Sequence, residues 1–144
     1  MAVSGTEAMI ADSLIWQAGQ VAASLGLQIA FPNVPLSQPV GTPYLALTVM
    51  PNTAVLQTME FGGDVDHQGL LQISVFWPSG QGMVKPMSTA AAIVKAFAPG
   101  TRIDRNLVSV RVNEQPRIAP ALQESDWCQV PVTVRWRAFY PAGV

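Results

Sequence analysis

Between Gly69 and Phe97 the chain passes from an alternating strand, with Leu71, Ile73, Val75 and Trp77 on one face, through Pro78-Ser79-Gly80-Gln81-Gly82 into a helical pattern. No other feature constrains the fold as much, because a glycine turn between strand and helix either cradles a phosphate or simply reverses the chain. A phosphate-binding loop needs Gly-Lys-Ser/Thr at the helix start, and a dinucleotide fingerprint needs a third glycine three residues after Gly82. Lys85 stands at that position and Pro86 follows it. Both templates fail, so the turn reads as structural.

The flanking patterns place this transition in a larger order. Thr6-Glu7 opens a periodic run in which Ile10, Leu14, Ala18, Val21 and Leu25 share one helical face, and Gly26 is a suitable stop. A short apolar piece, Leu27 to Phe31, leads into a segment dominated by Pro32, Asn33, Pro35, Ser37, Pro39, Gly41 and Pro43, which blocks helix and central strand alike. Tyr44 to Met50 reads as a strand closed by Pro51-Asn52, and Val55 to Phe61 as another. Gly62-Gly63-Asp64 then leads to the strand Gly69 to Trp77, making a meander or hairpin whose most exposed part is Asn52 to Asp66.

The second helix runs from Val84 or Pro86 to Ala98, burying Ala90, Ile93, Val94 and Phe97, and Pro99-Gly100 ends it. Strands return at Leu107 to Val112, around Arg117 to Leu122, and at Val130 to Tyr140. In the last of these Val130, Val132, Val134 and Trp136 alternate with Pro131, Thr133, Arg135 and Arg137. The order predicts an α+β two-layer domain, a mainly antiparallel mixed sheet with about two helices on one face. Its 144 residues suit one domain, 1–144, with an extended Pro-rich segment 31–43 and a hairpin loop 52–68.

Only 12% of the residues are charged, about half the roughly 25% usual for globular domains, while 49% are hydrophobic. Either other subunits cover part of the surface, since interface cores are depleted in charge and enriched in aromatics and Met, or this is an ordinary, rather apolar domain; composition does not choose. A net charge of −1 with eight scattered basic residues argues against a phosphate-neutralising nucleic-acid surface. Cys128 is the single cysteine, which excludes an internal disulfide and suits a small core hydrophobe in a reducing compartment. The N-terminus lacks a signal-peptide pattern and no run approaches a membrane span, so the chain is expected in the cytosol when made.

Candidate chemistry is sparse. His67, the only histidine, lies near Asp64 and Asp66, but a catalytic zinc normally takes three protein ligands and more than one His or Cys; the spacing equally describes a polar hairpin loop. Ser79 follows Pro78 and sits outside a Gly-x-Ser-x-Gly elbow. Glu60, Asp64 and Asp66 form a solvated acidic loop more simply than a carboxylate pair for glycoside chemistry. Trp77, Trp127 and Trp136 read as core or interface anchors. Arg135 and Arg137 share a polar strand face, suited to a subunit contact or to solubility.

Taken together, Phe31-Pro32-Asn33, Gly41-Thr42-Pro43-Tyr44-Leu45, Gly69-Leu70-Leu71-Gln72-Ile73-Ser74-Val75 running into Pro78-Ser79-Gly80-Gln81-Gly82, the helix end Phe97-Ala98-Pro99-Gly100 and the final Pro131-Val132-Thr133-Val134-Arg135-Trp136-Arg137-Ala138 resemble the bacteriophage tail terminator-like family over nearly the whole chain. The resemblance implies a non-enzymatic virion protein of the neck of long-tailed phages, without cofactor or metal. It implies a hexameric ring on the last tail-tube ring that stops tube polymerisation and offers the surface joined by the head's connector. DNA would pass the lumen unbound, and a weakly charged or acidic lumen would ease its passage. The expected partners are copies of itself, the tail tube protein and the head-tail connector or head-closure protein. The family offers no motif that fixes contact residues, and Phe31, Asn33, Asp64, Asp66, His67, Arg135 and Arg137 are the interface candidates. Competing readings are another neck, tail-completion or head-closure protein, and a small-molecule-binding protein with a polar pocket near His67.

Overall fold

The structure is a computed structural model that describes residues 6–31, 42–56, 65–105 and 108–140. Helix α1 (Thr6–Leu25) and helix α2 (Val84–Ala96) pack on one face of a curled, mixed sheet, giving the α+β architecture expected. Ile10, Leu14, Ala18 and Val21 of the α1 stripe are buried, joined by Ala22, while Leu25 at the helix end is half-buried, and Gly26 ends the helix at φ 70°. Ser13 is also buried, its hydroxyl satisfied by donating to the Met9 carbonyl at 2.8 Å. On α2, Ala90, Ile93 and the capping residue Phe97 are fully buried, while Val94, expected on the same face, is half-buried at its border. Each large side chain so placed contributes roughly 1.5–3 kcal/mol of transfer free energy.

The sheet runs β1 (Gln28–Ala30), β2 (Tyr44–Leu56), β3 (Val65–Pro78), β8 (Trp127–Tyr140), β5 (Val108–Val112) and β4 (Arg102–Arg105) in spatial order. Among the described strands only β1 on β2 is parallel. One edge of β8 pairs with β3 along its whole length, from Val65 opposite Tyr140 to Pro78 opposite Trp127. The other edge is shared in succession by β7 (Leu122–Gln123), β6 (Arg117–Ile118) and β5.

Proline inside β8 needs an explanation, since it cannot donate to a ladder. Pro131 accepts a hydrogen bond from the Ala119 N–H at 2.9 Å, and in an antiparallel ladder a residue's N and O point to the same side. Its missing N–H therefore falls opposite residues 119–121, between β6 and β7, where no strand asks for a donor.

The strands reach further than the sequence pattern suggests. β2 continues through Pro51 to Leu56, with a register shift between Pro51 and Thr53 that leaves Asn52 as an extra residue. Thr53 to Leu56 then pair with Gln68 to Val65 inside the segment read as the hairpin 52–68. Residues 57–64, and residues 32–41 of the Pro-rich segment, lie outside those described.

Gly69 marks a close approach. A Cβ there would lie 2.5 Å from Cζ2 of Trp136 and 2.6 Å from the Met50 carbonyl oxygen. The indole of Trp136, 3% exposed, occupies the space the glycine leaves open. Gly69→Ala should therefore cost about 1–3 kcal/mol, the usual penalty for overpacking, read as a lower urea midpoint. The same substitution in a Trp136→Phe background should cost measurably less; equal losses in both backgrounds would show that the indole is not what the methyl meets.

Candidate interaction surface

Because side chains alternate across a strand, burying Leu45, Leu47, Leu71, Ile73, Val75, Val130, Val132 and Val134 under the helices sends their neighbours to the opposite, outer face. Cross-strand register then sorts these neighbours into rows. Tyr44, Phe76 and Gln129 form one row, Thr48, Gln72 and Thr133 another, Met50, Leu70 and Arg135 a third. Gln68, Arg137, Arg111 and Arg102 form a row that crosses from β3 to β4.

The two ends of this face differ chemically. At one end Tyr44 and Phe76 stack with centroids 4.8 Å apart, and Trp127 meets Tyr44 edge-on at 5.2 Å. Such pairs contribute about 0.5–1.5 kcal/mol beyond area burial. Burial, and then the negative charge of Glu124, push the Tyr44 phenol above its ordinary range. The turn that carries Glu124 and Asp126 is exposed, and it is tied down by the Glu124 N–H to the Trp127 carbonyl at 2.8 Å and the Ser79 N–H to the Asp126 carbonyl at 3.0 Å.

The other end is basic. Arg102, Arg111, Arg117, Arg135 and Arg137 all fall on the outer face, five of the eight basic residues of the chain. Asp104 pairs with Arg102 at 2.8 Å, and that guanidinium holds its carboxyl below the usual carboxylate range. Glu114 stands 3.8 Å from Arg135 with both side chains about two-thirds exposed, a geometry that contributes little, about 0–1 kcal/mol. A shallow groove of about 440 Å³ runs between Arg117, Thr133, Arg135, Leu70 and Glu114. A smaller hollow of about 120 Å³ shares Leu70, Glu114 and Arg135 with it and extends to Arg137.

The interface candidates do not converge. Arg135 and Arg137 lie on the outer face, exposed. Half-buried Phe31 packs over Gly19 of α1 and against the core. His67, half-buried, is on the helix-side face with Gly69, opposite Ala54 and Ala138. Asp66 is placed only by its backbone, opposite Val55 and Phe139, and Asn33 and Asp64 lie outside the described residues. Among the described residues no three His, Cys, Asp or Glu side chains gather where a metal could be held, and no helix is long and apolar enough to cross a membrane. Cys128 is buried, its sulfur 3.6 Å from that of Met83. Sequence reasoning missed Arg102, Arg111 and Arg117 because their shared face depends on which strands neighbour β8.

A family model described as phage tail terminator protein matches residues 9–136. One solved structure, 20% identical, superposes with a TM-score of 0.78 and covers 96% of this chain and 99% of its own, which establishes a shared fold. No curated protein matches the sequence.

The link between Tyr44 and Glu124 can be measured directly. Spectrophotometric titration should show one tyrosine ionising later than an ordinary phenol, and Glu124→Gln should bring it down while leaving the burial contribution. Since the folded value is raised, the associated stability is present below the unfolded phenol's pKa and lost as pH rises through the folded one. A titration curve unchanged by Glu124→Gln would separate the two groups.

Proposed function

The chain belongs to the phage tail terminator protein family, a structural family of phage tail completion, and from that premise we propose that it forms a hexameric ring on the last ring of the tail tube. The ring stops tube polymerisation and presents the surface to which the filled head is joined through its connector or head-closure protein. The single observation that carries this reading is the family match across 128 of the 144 residues, 9 to 136. The protein works as a spacer and socket, without a catalytic step.

Physical features support the reading. Low charge leaves surface suited to permanent contact. A closed ring with head-to-tail contacts needs two different complementary patches on each subunit, and the outer sheet face has chemically opposite ends. The Pro-rich segment 31–43 and the hairpin 52–68, with Asn33, Asp64 and Asp66, serve as arms toward the tube or the neighbouring subunit, and Phe31 and His67 sit on the body from which they extend. DNA passes the lumen without specific binding, which turns the arginine-rich end toward protein rather than toward the channel. The chain works in the virion tail and assembles in the host cytoplasm.

The test is tail length. In a phage unable to make this chain, tubes should grow past their normal length and fail to join heads, and supplying the chain should restore both. Tubes of normal, uniform length without it would contradict the proposal and favour a separate neck role.

A further inference from the structure

We infer that the basic end of the outer sheet face receives the acidic turn Glu124-Ser125-Asp126 of a second copy of this chain. The inference rests on the ring reading and specifies which surfaces meet.

The charge that is open to a partner lies along the groove. In the row formed by the cross-strand neighbours Arg102, Arg111 and Arg137, Asp104 already pairs with Arg102 at 2.8 Å. Arg135 and Arg117 add two more guanidiniums in adjacent rows, about 7 Å apart along the strand direction. The carboxylate on Arg135 is held at 3.8 Å in an exposed pair, so it is easily exchanged for a better one. Guanidinium presents a planar fork suited to carboxylates, and the 440 Å³ groove gives them room.

The matching acid lies on the same chain, out of its own reach. Glu124 and Asp126 are exposed at the start of β8, and Arg135 is eight residues beyond Trp127 along one rigid strand, about 27 Å away at the ordinary rise. Only another molecule can bring the turn to the groove. The turn also has an apolar flank, Leu122 at 52% exposure and the Tyr44, Phe76 and Trp127 cluster, which supplies the dry contact that charge pairs alone lack. Charge pairing across such a contact sets partner and register, which a ring of fixed size requires.

The experiment is a charge exchange. Variant one carries Glu124→Arg and Asp126→Arg, variant two carries Arg117→Glu and Arg135→Glu; all four side chains are exposed, and circular dichroism melting checks that each variant folds. Each is supplied to a phage lacking the chain, and capped tails are counted by electron microscopy. Each alone should lower capping at least tenfold. A chain carrying all four changes, and an equal mixture of the two variants, should recover it, because a reversed turn then meets a reversed groove. Two variants that cap normally, or losses that neither combination repairs, would overturn the inference. Normal capping with lost salt-dependent DNA affinity in variant two would do the same and assign the face to DNA. Wild-type tails that end without a ring of copies would instead overturn the ring reading.

Discussion

Fourteen residues of β8 pair with fourteen of β3, from Pro78 opposite Trp127 to Val65 opposite Tyr140. This ladder is the axis from which every other element is placed. Its register makes Val130, Val132, Val134 and Trp136 one face and Gln129, Thr133, Arg135 and Arg137 the other, and a slip of one residue would exchange them. The register is pinned sterically where the Trp136 indole fits beside Gly69, and on the opposite edge of β8 Pro131 is accommodated because its missing N–H falls between β6 and β7. Both helices follow from the ladder, since they cover its valine face.

The consequence for function is an asymmetric face. The helices occupy one side of the sheet, and the other side keeps aromatics and an acidic turn at one end and arginines at the other. Within the cluster Asp104 pairs with Arg102 and Glu114 stands by Arg135, so the arginines outnumber the acids beside them. A subunit that must find one neighbour, in one orientation, gains specificity from such a face.

Much of this was legible in the sequence, and the reasons differ by element. The helices declared themselves through period and punctuation: Ile10, Leu14, Ala18 and Val21 at spacings of three and four with Gly26 behind them, and Phe97 just before Pro99-Gly100. The two faces of β8 were readable from alternation alone, which is why Arg135 and Arg137 could be picked out. What stayed hidden depends on pairing. β4 is four residues long with charges at three of them, so no local pattern marks it as a strand. The alignment of Arg102, Arg111 and Arg137 arises only when β5 docks on the far half of β8. Continuation of β2 through Pro51 was equally unreadable, because a proline tolerated at a register shift looks in sequence like a stop. The positions of Phe31 and His67 turned on the same issue, since which face a residue near a strand end takes is fixed by its partners.

The measurement that reaches the central claim most directly is an electron cryomicroscopy reconstruction of the junction between head and tail in mature particles. The account predicts six copies of this fold in a closed ring, seated between the last ring of the tube and the connector. Copies distributed along the tube, or found at the tail tip, would contradict it.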